Sequence, residues 1–420
     1  MRLTLPSISF FLLLILLKLL LDWSYVNFVS VLFGYAGFDL NIDAIKYLES
    51  WALYFLAAIF LNHQLRNPSD FLLFIFFSIT LAPMLTLFGL SVQSRLYMYS
   101  VVLVFVMIGT ILKIPDIKIP HVKNGNTLML TVTVLFISVS LAQMFVSGSF
   151  TRINFDLSKV YDFRDVVGEK LITGLWAYIV PWTTKIFTII LLAYALLKKK
   201  YLIALGLILF QILLFGITSH KAVAVYPVFA IGLYIFRNSR YINLYIIASL
   251  ILFLTLCILT YIIFDSKILP SLFLRRLFFV PALLKYQYFE FFSNNQYVLW
   301  SNSIFSSFID YPYSLPPVNL MGSFYYGKPE MGANTGFIAT SYMHFGFLGM
   351  FFIGFAVAIL LKLADTFAMG NKPAWFYLSF LSVPFFGLFV NAAFLTSLLT
   401  HGLGIAFLMA WLSYKKKKVN

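Results

Sequence analysis

The chain has 420 residues, of which 61% are hydrophobic, 19% aromatic and only 11% charged, with a formal net charge of +15. That balance excludes a soluble globular enzyme of this length, which would carry about 25% charged residues. The single cysteine, Cys257, lies in an apolar run, so a disulfide framework and a thiolate metal centre are excluded as well.

The apolar residues fall in runs of about 17–25, the length an α-helix needs to cross a bilayer. Taken in chain order, the predicted spans are 5–24, 44–63, 70–89, 96–113, 127–146, 172–196, 201–218, 222–237, 242–264, 337–361, 375–393 and 396–413. The expected fold class is therefore all-α, a polytopic membrane protein with about twelve transmembrane helices in one integral membrane domain over 1–420. Arg2 ahead of the first run resembles the start of a signal peptide. No small-residue cleavage site follows, so the segment reads as a retained first helix. Within it, Lys18 and Asp22 stand one turn apart and are expected to pair structurally.

The positive charge is distributed unevenly. With the N-terminus inside, one face receives 16 Lys and Arg residues against three acids, Asp70, Asp116 and Asp365. The other face receives 12 of each sign. This is the positive-inside pattern: it places both termini in the cytoplasm and removes the nucleic-acid reading of the net charge. The cytoplasmic connections are short and basic, with no P-loop or Gly-rich phosphate cradle, so nucleotide chemistry there is not expected. No internal repeat of the transporter type is visible. No His, Asp or Glu cluster has metal-ligand spacing, and neither a metal nor another cofactor is expected.

Two outer loops are enlarged, 147–171 and 265–336. The first holds Arg152 and Arg164 among the acids Asp156, Asp162 and Asp165. These read as surface ion pairs, with room for one further cation and a carboxylate base. Residues 269–292 are apolar and aromatic but interrupted by Pro270 and Pro281, which predicts a broken interfacial or re-entrant segment. Arg275 and Arg276 stand side by side within it. They read either as residues snorkelling to lipid headgroups or as a clamp on a diphosphate, to which a guanidinium offers two donors at a fixed charge. Residues 311–336 predict an irregular aromatic loop.

Ser219-His220-Lys221 predicts an outer turn, with Lys221 either reaching headgroups or serving an anion site. Asn334 or Thr335 is expected to cap the following helix. His344 is expected about 12 Å down that helix. It is either a general base or a buried residue bonded to a neighbouring helix. Lys185 and His401 are further polar residues inside apolar runs.

Four stretches carry a family likeness: Gly216-Ile-Thr-Ser-His-Lys221, Arg275-Arg276-Leu-Phe-Phe-Val-Pro281, Ala333-Asn-Thr-Gly-Phe-Ile-Ala339 and Phe345-Gly-Phe-Leu-Gly349. With them, the chain resembles the Wzy-type O-antigen and capsule repeat-unit polymerases over nearly its whole length. Some members carry a glycine eleven residues after an arginine, which Arg152, Arg164, Arg275 and Arg276 all lack.

The resemblance implies a GT-C-like, metal-independent glycosyltransferase of the bacterial inner membrane, with its active site facing the periplasm. Its substrate would be undecaprenyl-diphosphate-linked oligosaccharide, and it would work among membrane lipid beside a flippase and a chain-length regulator. Arg275, Arg276, Arg164, Arg152 and Lys221 would bind the donor diphosphate, and His344 would deprotonate the acceptor. Tyr325, Asn334 and Tyr342 would shape the glycan site. An O-antigen ligase of similar fold and a flippase of lipid-linked sugars are the alternatives.

Overall fold

The computed structural model describes residues 4–156 and 174–416, with the side chain of Arg152 left out. Fifteen helical stretches follow one another among them, besides a short 3-10 turn at Ser149–Arg152. They are α1 (Leu5–Ala36), α2 (Ala44–Ala58), α3 (Pro68–Leu90), α4 (Arg95–Ile111), α5 (Gly125–Val146), α6 (Trp176–Leu197), α7 (Tyr201–Thr218), α8 (Lys221–Ile235), α9 (Ile242–Phe264), α10 (268–293), α11 (Pro317–Tyr326), α12 (Phe337–Ala368), α13 (Ala374–Val390), α14 (Phe394–Leu398) and α15 (Leu403–Ser413). Local chemistry starts several of them. Asp43 accepts from the Ile45 and Lys46 amides at the head of α2, Asn67 and Asp70 form a capping box on α3, and Ser94 caps α4. Each cap satisfies amides that the helix leaves free and contributes about 1 kcal/mol.

Among the described residues seven helices are long and apolar enough to cross a membrane: α1, α3, α5, α6, α7, α9 and α12. Every predicted span coincides with helix, but the other five are shorter than expected. The apolar runs continue past the helix ends into turns, and periodicity cannot see where the backbone stops. The expected span 396–413 is divided by a turn at 399–402.

The chain forms two compact units. The first comprises Met1–Pro115, Arg240–Leu361 and Leu388–Phe394, and the second Asp116–Ser239, Lys362–Gly387 and Leu395–Asn420. In the first, α1 packs on α3 and α9, and α2 packs on α3. Lys18 and Asp22 pair as expected, and the pair is the centre of a larger buried network. Thr86 Oγ1 donates to Asp22 at 2.8 Å, Tyr47 hydroxyl donates at 3.0 Å, and the Lys18 ammonium lies 5.3 Å from the Trp51 ring. In the second, Gln211 Nε2 donates to the Thr184 carbonyl at 2.7 Å and Trp182 Nε1 to the Leu399 carbonyl at 2.6 Å. Lys372 bonds Asn126 and the Ser413 carbonyl. Lys185 is half-buried with His401 within its electrostatic reach.

Three local expectations are corrected. The segment 269–292 is unbroken helix, because Ser271–Phe279 winds as a π-helix in which Val280 N–H donates to the Arg275 carbonyl. A proline lacks a donor and crowds the carbonyl four residues earlier. The wider π turns ahead of Pro281 leave room for it. The stretch 311–336 is not wholly irregular, since Pro317 starts α11 and Gly327 ends it. Finally, α12 is two helices joined at a kink. Phe345 and Gly346 leave helical geometry, Gly346 at φ +60°, and a Cβ there would come within 2.8 Å of the Tyr297 hydroxyl. Only glycine meets both demands.

Candidate functional site

The arginine pair sits on the π stretch of α10. Its two members differ sharply. Arg276 is exposed, whereas Arg275 is half-buried and lays its guanidinium 4.2 Å from the centre of the Phe33 ring, at the end of α1. Arg275 Nε is buried with no hydrogen-bond partner. Among the described residues no carboxylate pairs with either arginine. A buried donor left unmade costs about 1–3 kcal/mol. A guanidinium held on an aromatic face beside a second arginine is a candidate anion site. Burial lowers the Arg275 pKa first and the neighbouring Arg276 adds to that, so pairing with an anion would relieve both.

Two tyrosines lie within electrostatic reach of Arg275. Tyr35 is 86% exposed beside Arg275. Tyr326, at the end of α11, bonds Gln287 Oε1 at 3.0 Å and lies within electrostatic reach of Arg275. Burial raises its phenol pKa, while Gln287 and Arg275 pull it back, so the hydroxyl is a donor at neutral pH. The turn after Phe33 closes the arrangement. Gly37 has φ +88°, and a Cβ there would stand 3.5 Å from Leu283 and 3.7 Å from Gln287 Nε2. Phe33, Gln287 and Tyr326 carry no sequence signal, because their roles rest on contacts between distant segments.

The remaining expected site residues belong to both units. Tyr325 bonds Glu290 at 3.0 Å and the Gln287 carbonyl at 3.1 Å, next to Tyr326. Tyr342 is buried, bonded to Ser293 and packed on Phe289, so it belongs to the core of the first unit. Asn334 is exposed and donates only to the Gly332 carbonyl. Thr335 Oγ1 is buried without a partner, so neither residue caps α12. Lys221 is exposed at the head of α8 in the second unit, after Ser219 ends α7 at φ 52°. Arg152 ends a short 3-10 turn of that unit, and Arg164, Asp162 and Asp165 lie outside the described residues. Lys285 is fully buried, with its ammonium bonded to the Pro281 carbonyl at 3.2 Å.

His344 is the last residue before the kink in α12 and is 5% exposed. The Trp300 amide donates to its Nδ1 at 3.1 Å. That bond occupies the ring's free lone pair and leaves the proton on Nε2. Of the two alternatives for His344, this bond matches the buried residue tied to a neighbouring segment, and it leaves Nε2 as the one ring nitrogen not engaged by the Trp300 amide. Its surroundings agree. Trp300, Thr340, Ser341, Phe345, Ile353, Ala393 and Phe394 line a hollow with room for about one water molecule, too small for a sugar. No hydrogen bond or ring contact joins His344 to the arginine pair among the described residues. Nor do three or more His, Cys, Asp or Glu side chains gather there as a metal site.

No family model, curated protein or solved structure matches the chain.

Proposed function

We propose that the protein is a glycosyltransferase that polymerises undecaprenyl-diphosphate-linked oligosaccharide repeat units into O-antigen or a related surface polysaccharide. It would act on the periplasmic face of the bacterial inner membrane, through a GT-C-like fold of twelve spans with both termini in the cytoplasm. The observation that carries this reading is Arg275, whose guanidinium lies on the Phe33 ring with its Nε unpartnered, next to a second, exposed arginine and a phenol. The positive-inside pattern assigns its loop to the outer face.

In this reading the two arginines hold the donor diphosphate. An acceptor hydroxyl attacks the anomeric carbon, the carbon–oxygen bond to the diphosphate breaks, and the arginines stabilise the charge that collects on the departing lipid diphosphate. The hydroxyl proton passes to a base. Glu290 is a poor choice, because about 20 Å of helix separates it from Arg276 at 1.5 Å per residue. Glu330, Asp156, Asp162 and Asp165 remain.

The test is deletion of the gene followed by a lipopolysaccharide gel. Loss of long chains with core plus one repeat retained supports the polymerase. Core alone means a ligase or flippase and overturns it. The geometry of His344 adds a prediction read on the same gel. The amide oxygen of His344→Gln can accept from the Trp300 amide, so this variant is expected to make chains of near-normal length. His344→Ala strands that amide at a cost of about 1–3 kcal/mol and should lower the folded yield. A silent but well-folded His344→Gln would restore the histidine to the chemistry.

A further inference from the structure

Between the end of α10 and Asp310 the chain carries no charged residue: 294–309 reads Asn-Asn-Gln-Tyr-Val-Leu-Trp-Ser-Asn-Ser-Ile-Phe-Ser-Ser-Phe-Ile. The segment is nonetheless firmly held. The Val298 amide donates to the Met343 carbonyl at 3.0 Å, and the Trp300 amide to His344 at 3.1 Å. The Trp300 ring packs edge-on to Phe345 at 4.9 Å, and the Tyr313 hydroxyl donates to the Gln296 carbonyl. Leu299 and Trp300 both adopt left-handed backbone angles, φ 52° and 57°, which side-chain-bearing residues avoid. Strain of this kind persists only where the surrounding structure imposes it.

Beyond this anchor the chain turns back on itself through bonds from the Phe305 amide to the Trp300 carbonyl and from the Ile309 amide to the Phe305 carbonyl. The result is that apolar side chains point outward: Phe308 is 84% exposed, Ile304 49%, Phe305 37% and Ile309 36%. Asn302, Ser303, Ser306 and Ser307 are exposed as well, so the whole turn stands clear of the fold with four large apolar side chains on it.

The depth of the anchor says what these side chains meet. From Gly346 to Leu361, the last residue before Lys362, α12 runs about 22 Å at 1.5 Å per residue. A hydrocarbon core is about 30 Å thick. With Leu361 taken as one boundary, the kink, and Trp300 and His344 with it, lies about 8 Å short of the other, within side-chain reach of the interfacial band where tryptophan and tyrosine gather. A second protein copy fits less well, since a stable interface needs about 800 Å² from each partner. Four side chains on one turn fall short of that.

We propose that 304–309 is a lipid-inserting wedge. Ile304, Phe305, Phe308 and Ile309 enter the boundary between headgroups and acyl chains, and His344 holds the wedge to the kink of α12. This is independent of the catalytic reading and would hold for a transporter equally.

The test uses the full chain in liposomes. Cys257→Ser removes the only cysteine, and Phe308→Cys then carries a polarity-sensitive fluorophore, with Ile304→Cys as the second site if the first variant folds poorly. Glu330→Cys, at an exposed polar position, is the control. Lipids spin-labelled high on the acyl chain should quench the wedge at least twofold more than the control, and aqueous iodide should quench it less. Equal iodide quenching at both positions would overturn the proposal. So would disulfide cross-linking of unlabelled Phe308→Cys between copies, which would make the turn a self-association surface.

Discussion

Arg275→Ala is expected to lower polymer formation by about 10²–10³-fold, the loss seen when one preorganised donor to a developing anion is removed. The fold should not suffer. Truncation deletes a buried donor that has no partner, which relieves part of a cost of about 1–3 kcal/mol. Against that stands only the stack on Phe33, about 0.5–1 kcal/mol. Arg276→Ala should cost less, because an exposed charge acts through screened water and typically contributes about 1 kcal/mol or below. Arg275→Lys should recover part of the activity, since the ammonium keeps the charge and loses the planar fork. Chain length on a lipopolysaccharide gel reads the first quantity and a melting curve of the purified protein reads the second. Long chains from the Arg275→Ala variant, or a melting temperature well below the parent's, would leave Arg275 a headgroup or packing residue.

Asp22→Ala should be the most destabilising single change in the first unit. It removes the partner of Lys18, which has no exposed surface, and takes an acceptor from Thr86 and Tyr47 at once. Breaking a buried pair on one side costs about 3–5 kcal/mol, because a charge is left without compensation. The double variant Lys18→Met/Asp22→Leu should recover most of that loss, since replacing both members by apolar groups of similar volume is often close to neutral. The monodisperse yield after detergent extraction and the melting temperature measure both. An Asp22→Ala variant that melts with the parent would mean that water reaches Lys18 and that the network adds little.

Much of the architecture was readable from local chemistry. Apolar runs located the seven helices that, among the described residues, are long and apolar enough to cross a membrane. The Lys18–Asp22 pair was visible as one helical turn. Its partners Thr86 and Tyr47 were not, being 64 and 25 residues from Asp22. The same limit explains the corrections. Pro281 reads as a break until the π turns before it are seen, and the kink at Gly346 answers to the Tyr297 hydroxyl on another segment.

For the candidate site the division follows from range. Composition and run length are sums over neighbours in the chain, so the sequence by itself determined membrane character and displayed the arginine pair. Which arginine is free, which ring it lies on, and which nitrogen of His344 carries the proton depend on partners brought together by folding. Phe33 reaches Arg275 from the end of α1, and the Trp300 amide reaches His344 across 44 residues. A hydrogen bond or a ring stack acts over a few ångströms of space whatever the separation along the chain, so only the tertiary structure could decide them.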